Sequence, residues 1–99
     1  GAQAGIGTFY NLVPKTFIGI YDAFNVGDLD QARTHQATAN RLIRTCHAFR
    51  QNGAVHAILK MQGVDCGDPI RPARPLGTEQ GEALMTALRR DGLEEPLGV

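Results

Sequence analysis

No part of this sequence stays apolar for more than a few residues. A helix that crosses a bilayer needs roughly 18 to 20 such residues, so no transmembrane segment is expected. Charge of one sign is also missing: ten Lys plus Arg stand against ten Asp plus Glu. Without a net field to gather polyanions, nucleic-acid and membrane partners are not expected. Cysteine is scarce. Cys46 and Cys66 form no Cys-x-x-Cys pair and are too few for a disulfide framework. Both are read as free thiols, partly buried as small hydrophobes, in a reduced and cytoplasmic setting. The N-terminal run Gly1 to Gly5 lacks an initiator Met and the basic and apolar regions of a secretory signal, and the expectation is that something upstream was removed or never captured. Internal repeats and low-complexity segments are absent as well.

Metal-binding patterns are equally lacking, with no His-x-x-x-His pair and no Cys/His cluster. His35 and His47 lie 12 residues apart, about 18 Å along a helix, too far to share one ion. With His56, they are read as surface or packing residues. Cys46 and His47 are sequence neighbours, about 100° apart on a helix, which places them poorly as nucleophile and base.

What the 99 residues do contain is enough apolar content, 42%, for one small domain or a piece of one. Gly5 to Asn11 combines β-favouring residues with two glycines and reads as a single strand with its exit loop. A lone strand has no ladder partner, so the rest of its sheet must come from elsewhere. From Leu12 the pattern turns helical, with Pro14 in the first turn and Phe17, Ile20, Tyr21 and Phe24 at three-four spacing, to about Val26. Gly27 ends this helix and Asp28 caps a long one over Leu29 to Gln51. Ala32, Ala39, Leu42, Cys46 and Phe49 form its apolar stripe, with small residues early for close packing. Asn52-Gly53 is read as its stop, and Ala54 to about Gly63 as a third helix. Residues 67–77 hold three of the five prolines and read as a stiff extended connector. Thr78 is the expected cap of a last helix to about Asp91, followed by a Gly92-Leu93 C-cap and a frayed tail from Glu94.

Few residues have the profile of a site. Arg71 and Arg74 could fork onto a phosphate or carboxylate, but bonding to helix-end carbonyls or pairing with acidic residues is favoured. Arg41, Arg44 and Arg50 are interleaved with Thr45 and His47 and lack aromatic platforms, so a solvated face is expected. Ile6-Gly7-Thr8 with the following Phe9-Tyr10-Asn11 is the remaining candidate: a glycine-flanked strand end carrying a hydroxyl, where α/β folds bind ligands.

Gly1-Ala2-Gln3-Ala4-Gly5-Ile6-Gly7-Thr8-Phe9-Tyr10-Asn11 resembles the last barrel strand of the N-acetylneuraminate lyase and dihydrodipicolinate synthase family. Its lyase members carry a Gly-Ile-Gly-Ser-Thr-Tyr-Asn-like run there. The helix order that follows and the Pro-Arg-Pro connector extend the likeness over almost the whole chain. The resemblance implies an α/β fold: the C-terminal fragment of a TIM (β/α)8 barrel, mostly α in this chain. Residues 1–26 would be the last barrel strand and its helix, and residues 27–99 a C-terminal helical extension. It also implies a class I pyruvate aldolase in which a barrel lysine forms a Schiff base and a tyrosine relays protons. That lysine would lie two strands upstream, so no catalytic residue is expected here; Lys15 and Lys60 fall in helices beyond the barrel.

By the same resemblance, Ile6 takes the position whose backbone lies against bound pyruvate. Thr8 takes that of the lyase serine that holds the substrate's hydroxylated chain, adding a methyl. Gly7 leans toward the lyase branch, since synthases more often place Ser there. No cofactor or metal is implied, and the full-length protein is expected to be a homotetramer acting on pyruvate and an aldehyde or sugar acid. The nearest rival is a synthase-type condensation of pyruvate with an aldehyde. From another class comes a stand-alone helical interaction module, against which the unpartnered strand argues.

Overall fold

Asp28 marks the first turn of the architecture. Its carboxylate accepts a hydrogen bond from the Gln31 amide at 3.0 Å and so caps the helix that follows. The preceding helix ends at the same place because Gly27, at φ +79°, adopts a left-handed conformation costly for other residues. The Asp28 amide then reaches back to the Ala23 carbonyl at 2.9 Å and the Gly27 amide to Phe24 at 3.0 Å, which is a Schellman closure. The computed structural model describes all 99 residues, and five α-helices follow a short 3-10 helix at Thr8–Asn11. They are α1 (Pro14–Asn25), α2 (Leu29–His47), α3 (Gln51–Met61), α4 (Thr78–Arg90) and α5 (Glu94–Leu97). None is long and apolar enough to cross a membrane.

The expected strand does not form. Gly7 is extended at φ −153° and ψ 140°, but the chain coils at Thr8 as the Tyr10 amide bonds back to the Gly7 carbonyl at 3.2 Å. Extended backbone becomes a strand only with a ladder partner, and no second extended segment lies alongside it.

The long second helix also stops early, at His47, and α3 begins at Gln51. Asn52-Gly53 is therefore not a terminator but part of the first turn of α3. The turn brings Ala54, Val55 and Ile58 into a cluster with Phe9, Leu12, Val13, Leu42, Cys46, Leu84 and Leu88. Gly53 is buried because the connector crosses it: a Cβ there would lie 2.7 Å from the Arg74 carbonyl oxygen.

α1 and α2 share the most extensive helix interface. Thr16 and Ala23 of α1 and Ala32 and Ala39 of α2 are buried, and a Cβ on Gly19 would come within 2.8 Å of His35 Nε2. Small residues thus set a close approach, as the early alanines of α2 imply. The larger apolar stripe of α1 points away from this interface. Ile18, Tyr21 and Phe24 are 58%, 66% and 65% exposed.

Residues 67–77 contain no helix or strand, in line with the prolines. α4 has Gly77, not Thr78, at its N-cap and no side-chain cap, while Arg89 and Arg90 sit at its negative end. Gly92 (φ +67°) and Leu93 close it as expected, the Leu93 amide reaching Leu88 at 2.9 Å. The tail is not frayed: Leu97 is buried, and Gln62 Nε2 donates to the carbonyls of both Leu97 (2.7 Å) and Leu12 (2.8 Å).

One polar contact ties α2 to the end of α4. Thr45 Oγ1 lies 2.7 Å from Asp91 Oδ2 and 2.9 Å from the Arg41 carbonyl. Arg90 Nε bonds the same carboxylate at 2.9 Å. Hydrogen bonds from Arg90 and then Thr45 hold the Asp91 carboxyl at about 2, well below the usual carboxylate value.

Two outcomes are expected. Gly53→Ala should lower the denaturant midpoint by the equivalent of about 1–3 kcal/mol, because the connector backbone must shift to admit a methyl. An unchanged midpoint would contradict the crossing. Because the folded-state pKa of Asp91 lies below its unfolded value near 3.8, its contribution is complete above about pH 4 and disappears as pH falls toward 2. A pH series of unfolding midpoints should show a shallower acid loss for Asp91→Asn than for the unaltered chain.

Candidate functional site

Ile6 and Thr8 lie on an exposed strap that precedes a buried anchor. Ile6 is wholly exposed and Thr8 is exposed, whereas Phe9, Leu12 and Val13 are in the core. The Thr8 carbonyl accepts from Asn11 Nδ2 at 3.0 Å, which fixes the 3-10 turn, and its hydroxyl makes no bond within the chain. Thr8 therefore stands at the entry of a 3-10 helix, not at a strand end, with its hydroxyl free for an outside partner.

Tyr10 shapes the strap. A Cβ on Gly7 would lie 3.1 Å from the Tyr10 ring and one on Gly5 2.9 Å from its hydroxyl oxygen, so both glycines let the backbone fold over that ring. Tyr10 in turn packs on Phe17 with ring centroids 4.4 Å apart. Below the rings opens an apolar cleft of about 610 Å³ lined by Gly5, Phe17, Ile18, Tyr21 and Phe24. Sequence reasoning placed Tyr10 in the candidate run but gave it no role of its own. The signal was available in the Gly-x-Gly spacing upstream of an aromatic, which marks close backbone approach.

The other sequence candidates do not converge on the strap. His35 packs against Gly19, and His47 sits edge-on to Phe9 with centroids 6.1 Å apart. His56 Nδ1 donates to the Gly67 carbonyl at 2.7 Å. Cys46 is buried, and burial pushes its thiol up to about 12, so it supplies no thiolate beside His47. Cys66, expected to be partly buried, is exposed, with its Sγ 3.6 Å from His56 Nδ1. That pair was invisible in sequence because the turn after α3 brings together residues ten apart. No group of three or more His, Cys, Asp or Glu side chains is arranged to hold a metal ion.

Arg71 and Arg74 also differ from expectation. They form no ion pair, and neither bonds a helix-end carbonyl. Lys15 is exposed, and Lys60 is 72% exposed and paired with Asp65 at 3.3 Å. Schiff-base lysines are desolvated, so neither has that setting.

The model of the dihydrodipicolinate synthetase family matches residues 1–91. An N-acetylneuraminate lyase of Rhizobium meliloti is 35% identical over 89 residues, covering 90% of this chain and 28% of that protein. A 4-hydroxy-tetrahydrodipicolinate synthase of Mycolicibacterium paratuberculosis is also 35% identical, over 92 residues, 90% of this chain and 30% of that protein. The solved structure of Proteus mirabilis N-acetylneuraminate lyase superposes with a TM-score of 0.82 at 25% identity, over 94% of this chain and 32% of that one. The chain thus spans about three-tenths of the length of the relatives it matches. Over that span, with the family model extending from the glycine strap to the end of α4, the chain belongs to the dihydrodipicolinate synthetase family.

Proposed function

We propose that this chain is the C-terminal part of a pyruvate-dependent aldolase that works through a Schiff base, most like N-acetylneuraminate lyase, which cleaves sialic acid to N-acetylmannosamine and pyruvate. The observation that carries the reading is the strap Gly5–Asn11: a lyase-like run whose free Thr8 hydroxyl and exposed Ile6 are set against a buried anchor. In the full-length enzyme, residues 1–26 close the barrel and the remaining helices brace it. The uncovered apolar face of α1 is then the surface that meets the upstream barrel.

The nucleophilic lysine belongs to that upstream part. In the cleavage direction a neutral amine attacks the ketone of the 2-keto sugar acid, water leaves, and the protonated imine accepts the electron pair released as the carbon–carbon bond breaks and the aldehyde departs. Protonation and hydrolysis of the remaining enamine free pyruvate and the lysine. Ile6 lays its backbone against the pyruvate unit. Thr8 exchanges hydrogen bonds with the hydroxylated chain. The enzyme is read as a cytoplasmic homotetramer that needs no cofactor.

A synthase-type condensation of pyruvate with an aldehyde is the second reading, favoured by the equal 35% identity to a synthase. Gly7, where synthases more often place Ser, favours the lyase. In the full-length protein, cleavage of sialic acid supports the lyase; imine trapping with no cleavage but turnover of an aldehyde supports the synthase. Absence of a pyruvate imine contradicts both.

Thr8→Ala in the full-length enzyme should reduce kcat/KM for a polyhydroxylated substrate about three- to tenfold, the equivalent of one hydrogen bond of roughly 0.5–1.5 kcal/mol. Borohydride trapping of the pyruvate imine should be nearly unchanged. Equal losses in both would assign Thr8 to packing. The 99-residue chain alone, treated with pyruvate and borohydride, should gain no pyruvyl mass; specific labelling of Lys15 or Lys60 would contradict the assignment of the lysine upstream.

A further inference from the structure

Three arginines from two separate stretches line one open cleft of about 630 Å³. Arg50 comes from the N-cap of α3, and Arg71 and Arg74 come from the connector. None of the chain's ion pairs includes any of them. Asp68 is the sole acidic residue in the lining, so two positive charges stay uncompensated. α3 adds to the same field: its first turn has no acidic residue and no side chain caps it. A second opening, lined by Arg50, Asn52, Pro72 and Arg74, continues the cleft onto that turn.

The arginines stand on stiff backbone. Pro69, Pro72 and Pro75 restrict the connector, Pro69 is buried, and the Arg74 carbonyl is pressed against Gly53. Placing like charges together raises the energy of the free chain, and an anion between them relieves it. Because the mounts are already ordered, little freedom is lost on binding.

We propose that this cleft binds a small phosphate-bearing metabolite. A carboxylate has two oxygens and one charge, which a single guanidinium fork saturates. A phosphate group carries up to two charges and three acceptor oxygens, and it can engage several forks at once. The cleft also has the volume of a small-molecule site, commonly about 300–1,000 Å³. This site is separate from the strap that carries Ile6 and Thr8 and does not depend on the aldolase reading.

The test is calorimetric titration of the full-length protein with pyrophosphate at fixed ionic strength, with succinate and chloride as comparison anions. Saturable one-to-one binding is expected, at least tenfold tighter for pyrophosphate than for succinate. Arg71→Gln and Arg74→Gln should each weaken it about tenfold, the equivalent of about 1.4 kcal/mol. Arg33→Gln, which removes an exposed arginine paired with Asp30 on α2, should leave it unchanged. No binding beyond matched chloride, full affinity in both connector variants, or equal affinity for succinate would overturn the proposal. If Arg74→Gln fails to fold, the exposed Arg71 decides the outcome alone.

Discussion

Phe9, Leu12 and Val13 enter the same apolar cluster as Leu42 and Cys46 of α2, Ile58 of α3 and Leu84 and Leu88 of α4. Each large apolar side chain taken from water contributes about 1.5–3 kcal/mol, against about 0.5–1.5 kcal/mol for the Gln62 bond to the Leu12 carbonyl. Burial therefore holds the junction, and Gln62 sets its register against the C-terminal tail. Everything before Phe9 is positioned by this anchor. Without it, Ile6 and Thr8 would hang on a segment that is exposed from Gly1 to Thr8.

The same anchor explains the two characters of α1. Its small residues, Thr16, Gly19 and Ala23, lie toward α2, where a larger side chain at Gly19 would strike His35. Its large residues, Ile18, Tyr21 and Phe24, stay in solvent beside the Tyr10 ring. A helix with one face packed and another apolar and uncovered is built for a second partner. Under the aldolase reading, that partner is the barrel, and the helical extension is the platform on which the closing segment is mounted.

Much of this could be read from the residues. Asp28, Gly27 and Gly92-Leu93 each carry a local signal whose hydrogen bonds form as the residue types require. The α2 stripe was equally visible, because helix periodicity is local. The failures share one cause, which is that the outcome depended on distant parts of the chain. Gly5 to Asn11 has strand composition but no ladder partner, so it coils. The break at Ala48–Arg50 has no glycine or proline and arises because Ala54 and Ile58 must reach the core. Gly53 looked like a stop and is a crossing point for residue 74. Within the candidate site, Ile6 and Thr8 were legible both as a glycine-flanked run carrying a hydroxyl and through family likeness, while the role of Tyr10 was signalled only by the Gly5-Ile6-Gly7 spacing and became plain once the backbone was seen to fold over its ring.

Amide hydrogen exchange tests the anchor most directly. The Leu12 and Val13 amides bond to the Phe9 carbonyl at 3.1 and 3.2 Å. They should exchange as slowly as the amides of Leu42 and Cys46 in α2, and Leu42→Ala should accelerate both sets together. Fast exchange at Leu12 and Val13 beside slow exchange in α2 would show that the strap is not held by the helical core, and would contradict it.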